Sequence, residues 1–181
     1  HKMTEGRQDA TIMVAYLEQK ERTDEALLAA TAKADRLLNE IEEMVAMNCT
    51  AVDIAYSPNE LYRLKREGKK AIMLGIENGY AIGKDLSRVA HFRKRGVVYM
   101  TLCHNGNNDI CGSARYNEEN LGVTPFGEQV IQEMNRLGMM VDLSHSGERT
   151  FYETLDISSQ PVVCSHSSSL SLIHISEPTR H

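Results

Sequence analysis

Gly138-Met139-Met140-Val141-Asp142-Leu143-Ser144-His145 is a short apolar run that ends in polar residues, with an imidazole at its tip. A second stretch, Pro161-Val162-Val163-Cys164-Ser165-His166-Ser167, repeats this design about one helix length later. Both patterns predict short buried strands. If the two strands are neighbours in a parallel sheet, both imidazoles emerge at the same edge, which is the geometry of a metal site.

The composition limits the kind of protein this chain can be. With 181 residues, 41% of them hydrophobic and 25% charged, it has the size and balance of one globular domain. The net charge of -5 and the lack of a basic stripe argue against nucleic acid as a partner. No apolar run approaches the roughly 18 residues of a membrane span. No targeting segment is visible, which leaves the compartment open, with a preference for the cytoplasm.

The two ends depart from the pattern between them. The chain opens on His1 without a signal segment, and residues 170–181 abandon the strand–helix alternation. Residues 171–180 resemble translated adapter sequence. We therefore predict one domain over residues 1–169 and a non-native, disordered tail over residues 170–181, in which His174 and His181 have no function.

Strand-like and helix-like segments alternate along the rest of the chain. A polar loop at residues 106–122 is long for a compact domain, so it is either functional or mobile. The predicted order is strand 9–17, helix 23–48, extended link 51–56, helix 57–68, strand 70–76, helix 85–95, strand 97–103, helix 124–138, strand 139–145, helix 148–155 and strand 161–167.

This alternation, with strands apolar on both faces, predicts an α/β fold with parallel βαβ units. A doubly wound sheet and a (β/α) barrel both fit that order. Glu77, His104, His145 and His166 each follow the last apolar residue of a successive strand, and barrel enzymes take catalytic residues from several such strand ends. A doubly wound sheet would more often carry a Gly-rich phosphate loop after its first strand, and none is present. We therefore predict a barrel.

One glutamate and two histidines form a suitable ligand set for zinc or a similar divalent ion. A carboxylate can bridge two ions, and water held between the ions attacks a carbonyl group. Glu77, His145 and His166 are the candidate ligands. His104, beside the long loop, is the candidate for a histidine that binds no metal and stabilises the developing oxyanion.

Simpler interpretations exist for single residues. A lone histidine at a strand end is more often a hydrogen-bonded surface residue than a ligand, and Glu77 alone can cap the next helix. We interpret Asp142 as a partner that orients the ligands or as a residue of the barrel interior. His91 is interpreted as structural, and Asp109 as a solvated loop residue rather than a substrate contact.

Serine and cysteine chemistry is disfavoured. Ser144 and Ser165 each precede a histidine, but adjacent strand residues point to opposite faces, so neither pair can form a triad. No Cys-x-x-Cys spacing occurs, and we expect mostly buried thiols rather than disulfides. Two cysteines lie near histidines, where core packing is favoured over metal ligation: Cys103 and Cys164. The other two are Cys49 and Cys111.

In combination, several segments resemble the membrane dipeptidase (renal dipeptidase, peptidase M19) family of zinc peptidases over residues 1–169. The resemblance implies a (β/α)8 TIM barrel of the metal-dependent hydrolase type with a two-zinc site. It also implies cleavage of dipeptides with free termini by a metal-bridged hydroxide. The segments are Gly75-Ile76-Glu77-Asn78-Gly79, Thr101-Leu102-Cys103-His104-Asn105, Gly122-Val123-Thr124-Pro125-Phe126-Gly127, Met134-Asn135-Arg136-Leu137-Gly138, Asp142-Leu143-Ser144-His145 and Ser165-His166-Ser167-Ser168.

The resemblance also assigns roles to individual residues. Glu77 corresponds to the carboxylate that bridges both ions, while His145 and His166 correspond to ligands of the second ion. His104 corresponds to the substrate-binding histidine that stabilises the tetrahedral intermediate. Dipeptide is the implied substrate, and the sequence does not indicate which one is preferred.

The departures from the family pattern shape our expectations for this chain. It contains no His-x-Asp pair, which in the family ligates the first ion, and it lacks the family's Arg after Ser-His-Ser-Ser and its late-strand Asp. We therefore expect a partial barrel that is missing the first strand and the last strands. We also expect at most one zinc ion and no activity from the chain alone. Open sheet edges at residues 9–17 and 161–167 predict self-association or a homo-oligomer.

Two alternative functions stay open at this point. One is a barrel metallohydrolase that acts on cyclic amides or esters. The other is a non-catalytic βα-repeat binding protein, whose strand-end histidines serve structure or partner binding.

Overall fold

A computed structural model describes residues 2–167 of the chain. Helices and strands alternate through this range, as the sequence predicts, with two additional short helices, one at its start and a 3-10 helix after residue 77. The elements are α1 (Lys2–Glu5), β1 (Ala10–Tyr16), α2 (Asp24–Met47), β2 (Val52–Ile54), α3 (Pro58–Arg66), β3 (Lys70–Glu77), a 3-10 helix (Gly79–Ile82), α4 (Ser87–Lys94), β4 (Val97–Thr101), α5 (Pro125–Leu137), β5 (Met140–Asp142) and α6 (Glu148–Ile157).

All the strands lie in one parallel sheet with the order β1-β3-β4-β5, and β2 pairs with the start of β3. The register aligns Tyr16 with Glu77, Glu77 with Thr101, and Thr101 with Asp142. The carboxyl ends of four strands therefore meet at one edge, as the α/β prediction requires.

Local capping chemistry explains where three of the helices begin. The hydroxyl of Thr23 accepts a hydrogen bond from Ala26 N at the start of α2, and Thr124 caps α5 in the same way. Ser57 caps α3, with proline at the first helical position. Gly138, with φ of 68°, ends α5 in the left-handed conformation that glycine adopts without steric cost.

The hydrophobic core lies between the sheet and the helices that cover one of its faces. It includes fully buried side chains from both layers. Burial of each large apolar side chain stabilises the fold by about 1.5–3 kcal/mol. On the opposite face the cover is thinner, since Tyr16 is 41% exposed and Met140 39% exposed. The largest buried side chains include Leu38, Leu74, Ile76, Phe92, Met100, Ile131 and Met134.

The two strands that carry Ser-His are shorter than predicted. β5 comprises only Met140–Asp142, and the predicted strand 161–167 is reduced to a single parallel bridge between Asp142 and Val163. The buried carboxylate of Asp142 accepts hydrogen bonds from the backbone N–H groups of Ser144 and Ser165. These bonds draw the backbone of both segments away from the sheet ladder, so each histidine lies in a turn.

The cysteine expectation is half wrong. All four cysteines are free, but only Cys103 and Cys111 are buried, whereas Cys49 and Cys164 are exposed. Cys49 follows the end of α2 and Cys164 lies in the turn region after α6, so neither reaches the core. The predicted tail at residues 170–181, with His174 and His181, lies outside the described residues.

Candidate metal centre

Four side chains from successive segments of the chain meet at the carboxyl edge of the sheet. Glu77 ends β3, His104 and His145 lie in the loops after β4 and β5, and His166 lies three residues after the bridge at Val163. Oε1 of Glu77 lies 3.5 Å from Nε2 of His104, 3.4 Å from Nε2 of His145 and 3.4 Å from Nε2 of His166. The Glu77 side chain is 17% exposed, so the carboxylate lies at the floor of the cluster, shielded from bulk water. One carboxylate oxygen is therefore within reach of three imidazole nitrogens.

Glu77, His145 and His166 fit a divalent cation. One ligand atom from each lies within 4.8 Å of the others, and the two imidazole Nε2 atoms are 2.9 Å apart. Zinc, with ligands at about 2.0–2.2 Å, holds them roughly 3.3–3.6 Å apart in a tetrahedron. The carboxylate–imidazole distances match that spacing, and the two imidazoles are slightly closer.

The backbone at His145 is held in an unusual conformation. Its φ of 66° is in the left-handed region, which costs about 1 kcal/mol or more for a residue with a side chain. Ala114 N donates to His145 O at 2.7 Å, and the Ser113 hydroxyl donates to the same carbonyl at 3.3 Å. These contacts hold a strained residue that aims its ring at Glu77.

The long polar loop is a wall of this site, held by its own asparagine side chains. Asn108 donates to Leu102 O and accepts from the N–H groups of Ile110 and Cys111. Asn107 accepts from Ser113 N, which places the Ser113 hydroxyl where it donates to His104 O. The loop thus ties the backbone of His104 to that of His145.

A buried carboxylate lies behind the histidines. Oδ2 of Asp142 accepts from the hydroxyls of Thr101 and Ser165, and Oδ1 accepts from the Ser144 hydroxyl and from two backbone N–H groups. Burial raises the pKa of Asp142, but these hydrogen bonds outweigh it and hold the pKa below its ordinary value. Asp142 is therefore an ionised hydrogen-bond acceptor inside the sheet. It is a buried interior residue that also contacts the serines beside both histidines, so both interpretations made from the sequence apply to it.

The electrostatics of the cluster favour neutral imidazole at His145. Burial lowers its pKa, and the neighbouring rings of His104 and His166 lower it further, against an opposing contribution from Glu77. Neutral imidazole is the form that ligates metal ions. This histidine is accordingly ready to bind a cation near neutral pH.

The family model for membrane dipeptidases (peptidase family M19) matches residues 1–177. The chain belongs to the membrane dipeptidase family. It is 30% identical over 177 residues to dipeptidase tcpJ of Claviceps purpurea, covering 95% of this chain and 42% of that protein. The family resemblance read from the sequence motifs is thus confirmed.

Solved structures show the same fold. The probable dipeptidase PvdM from Pseudomonas aeruginosa superposes with a TM-score of 0.84 at 28% identity, covering 92% of this chain and 44% of that one. A metallopeptidase from Rhodobacter sphaeroides, liganded with a phosphinate mimic of the dipeptide L-Ala-D-Ala, superposes with a TM-score of 0.77 at 21% identity, covering 92% and 54%. The predicted α/β class with a partial barrel is confirmed. This chain spans about half the length of these relatives.

Other residues singled out in the sequence lie outside the cluster. His91 on α4 forms a hydrogen bond with Asp35 on α2 at 2.9 Å, a structural contact between helices. Asp109 lies 3.6 Å from the guanidinium of Arg22. Cys103 contacts backbone carbonyls rather than the histidine nitrogens, and the exposed Cys164 is not in the metal-ligand group. Within residues 2–167, no helix is both long enough and apolar enough to cross a membrane.

Sequence analysis missed two residues that build the site. Ser113 joins the two histidine backbones, and Tyr16 places its ring edge-on to His104 with centroids 4.9 Å apart. The only feature of the sequence that pointed to Ser113 was the cluster of asparagines in its loop. The second follows from the β1–β3 register, which no local pattern contains.

Proposed function

We propose that the intact protein to which this chain belongs is a zinc-dependent dipeptidase, with Glu77, His145 and His166 as ligands of one ion. The observation that carries this proposal is the approach of three imidazoles to within 3.5 Å of one carboxylate oxygen. Membership of the membrane dipeptidase family supports the reaction class. The dipeptide mimic held by the Rhodobacter sphaeroides neighbour supports the substrate class.

Zinc bound there would lower the pKa of a coordinated water and polarise the substrate carbonyl, which is the hydroxide chemistry that the family resemblance implies. Glu77 supplies the negative charge at the floor of the site. Each imidazole comes closest to its Oε1. The other carboxylate oxygen would then be available to a second ion, which is the bridging role that the family resemblance implies for Glu77.

His104 supplies a hydrogen-bond donor for the reacting carbonyl. Its ring lies beside that of His145, and the edge of Tyr16 packs against it. Its backbone carbonyl is held by Ser113. A donor fixed in this way stabilises the charge that develops on the oxygen of the tetrahedral intermediate, without reorganisation during the reaction.

The chain by itself carries only part of this machinery. Its 181 residues contain no His-x-Asp pair, so we propose that it holds at most one zinc ion and does not hydrolyse dipeptides alone. Chelator-sensitive dipeptide hydrolysis by the isolated chain would contradict this.

The test of the function uses the intact protein. Metal content is measured for the wild type and for Glu77→Gln, His145→Ala and His166→Ala, with His91→Ala as a control outside the site. We expect zinc in the wild type and the control and a loss of zinc in the other three. Turnover is then compared on dipeptides, N-acetylated dipeptides, cyclic amides and esters. Turnover of cyclic amides or esters without dipeptide hydrolysis, or full activity after chelation, would overturn the proposal.

A further inference from the structure

Asp142 contacts no candidate metal ligand side chain, yet its hydrogen bonds reach both Ser-His segments. Oδ1 accepts from Ser144 N at 3.1 Å, from the Ser144 hydroxyl at 2.9 Å and from Ser165 N at 2.9 Å. Oδ2 accepts from the Thr101 hydroxyl at 2.6 Å and from the Ser165 hydroxyl at 2.7 Å. The residue is completely buried.

These contacts determine the direction of a hydrogen-bond chain that ends at His166. A carboxylate only accepts, so the Ser165 hydroxyl must donate its proton to Asp142. The Ser165 oxygen lies 2.8 Å from Nδ1 of His166, and with its proton already committed it can only accept there. Nδ1 therefore carries the imidazole proton, and the lone pair is on Nε2, the atom that faces Glu77.

The same carboxylate also places the backbone of His166. The Ser144 hydroxyl, which donates to Asp142, accepts from His166 N at 3.1 Å. His166 is thus held at its backbone through Ser144 and at its ring through Ser165.

We propose that Asp142 is the positioning residue of the zinc site, which selects the Nδ1-protonated tautomer of His166 through the Ser165 hydroxyl and so presents Nε2 to the metal. This inference rests on the proposed function and adds a residue that sets metal affinity without touching the metal. Partners of this kind commonly change metal affinity by about 10- to 100-fold when removed.

The substitution Asp142→Asn tests this mechanism, because it reverses the donor and acceptor roles along the hydrogen-bond chain. Oδ1 receives two backbone N–H groups, which only donate, so an asparagine must keep its oxygen there. Its amide nitrogen then faces the Ser165 hydroxyl and donates to it. The Ser165 proton then goes to the nearest acceptor, Nδ1 of His166 at 2.8 Å, rather than to the Ser144 oxygen at 3.4 Å. This moves the imidazole proton to Nε2 and blocks the ligand atom.

The experiment measures zinc affinity of the intact protein by competition with a chelator. We expect about a 10- to 100-fold loss in Asp142→Asn. The double variant Asp142→Asn/Ser165→Ala should recover part of it, because no hydroxyl is left to enforce the wrong tautomer. Thr101→Val is the matched control, since it removes a donor to the same carboxylate oxygen without touching His166, and it should stay close to wild type. Wild-type affinity in Asp142→Asn, or no recovery in the double variant, would overturn the proposal.

A second measurement does not depend on zinc or on the Asp142 variants. In metal-free wild-type protein labelled with 15N-histidine, the NMR chemical shifts of the two ring nitrogens of His166 report its tautomer. The His166 signals are assigned as those that disappear in His166→Gln. The proposal requires the proton on Nδ1, and a proton on Nε2 would overturn it. Failure of the wild type to bind zinc would count against the proposed function and leave this readout intact.

Discussion

The imidazole rings of His104 and His145 lie 4.0 Å apart, centroid to centroid, although they follow different strands. The hydroxyl of Ser113 joins the two backbones, because its single proton lies within reach of both carbonyl oxygens. Both imidazoles lie close to the carboxylate of Glu77, but they can have different roles. One can be a metal ligand, and the other can donate a hydrogen bond to substrate. The proposed roles of the two residues can therefore be separated by substitution.

His104→Ala in the intact protein should lower kcat by about 10²–10³-fold, as expected for the loss of one oxyanion donor. Its zinc content should stay unchanged, because the other three residues supply the ligands. His145→Ala should lose both zinc and activity. Steady-state kinetics with metal analysis checks this, and zinc loss in His104→Ala would assign that residue to the metal instead.

The left-handed backbone at His145 predicts that glycine is tolerated better than alanine at this position, the reverse of the usual order. His145→Gly should be more stable than His145→Ala by about 1 kcal/mol, since glycine adopts positive φ without steric cost. At His166, which is not among the described residues with positive φ, the alanine variant should be the more stable one. Urea unfolding of the four metal-free variants gives the comparison. An alanine preference at both sites would contradict the strain at His145.

Gly127 is a packing constraint between the long loop and α5. A methyl group there would overlap the carbonyl oxygen of Ile110, which is backbone and cannot rotate away. Gly127→Ala should therefore lower the free energy of unfolding by about 1–3 kcal/mol. Gln129→Ala, on the exposed side of the same helix, should change it little. Equal unfolding midpoints for the two variants would refute the close contact.

Asp35 predicts a pH-dependent contribution to stability. Partial burial raises its pKa, but hydrogen bonds from Arg95 and His91 outweigh this and hold the pKa below the ordinary value of 3.8. A lowered carboxyl pKa stabilises the fold above the unfolded-state pKa, and this stabilisation is lost as pH falls through the folded-state pKa, from about pH 4 downward.

In Asp35→Asn, unfolding at pH 7 should therefore cost about 1 kcal/mol less, and the loss of stability below pH 4 should be shallower. Urea unfolding from pH 2.5 to 7 measures both. The control is Asp156→Asn, an exposed carboxylate on α6. An Asp35→Asn curve parallel to that of the wild type would argue against the linkage.

The outer edge of β1 predicts self-association of the isolated chain. Asp9 O and Leu17 N bond to β3, so the alternate residues Ile12 and Val14 direct their N–H groups away from the sheet. Among residues 2–167 no strand pairs with this side of β1, and an apolar edge of this kind can pair with another chain. Ile12→Lys should shift the chain toward monomer in size-exclusion chromatography with light scattering. Leu28→Lys, which adds the same charge on α2, should not. A monodisperse wild-type monomer would contradict this prediction.

The sequence by itself determined most of the order of elements, the capping residues of three helices and the four polar residues that follow the apolar runs, namely Glu77, His104, His145 and His166. These features are readable because hydrophobic periodicity and capping involve residues within about one turn of each other. The motifs at the strand ends also identified the family.

Only the tertiary structure decided how these residues meet. The carboxylate of Asp142 shortens the two Ser-His strands, and Ser113 ties together two histidine backbones from distant parts of the chain. Both depend on which strands are neighbours and in what register, so no local pattern reports them. The left-handed backbone of His145 also depends on the tertiary structure. Hydrogen bonds from the long loop hold this conformation, which histidine does not favour by itself.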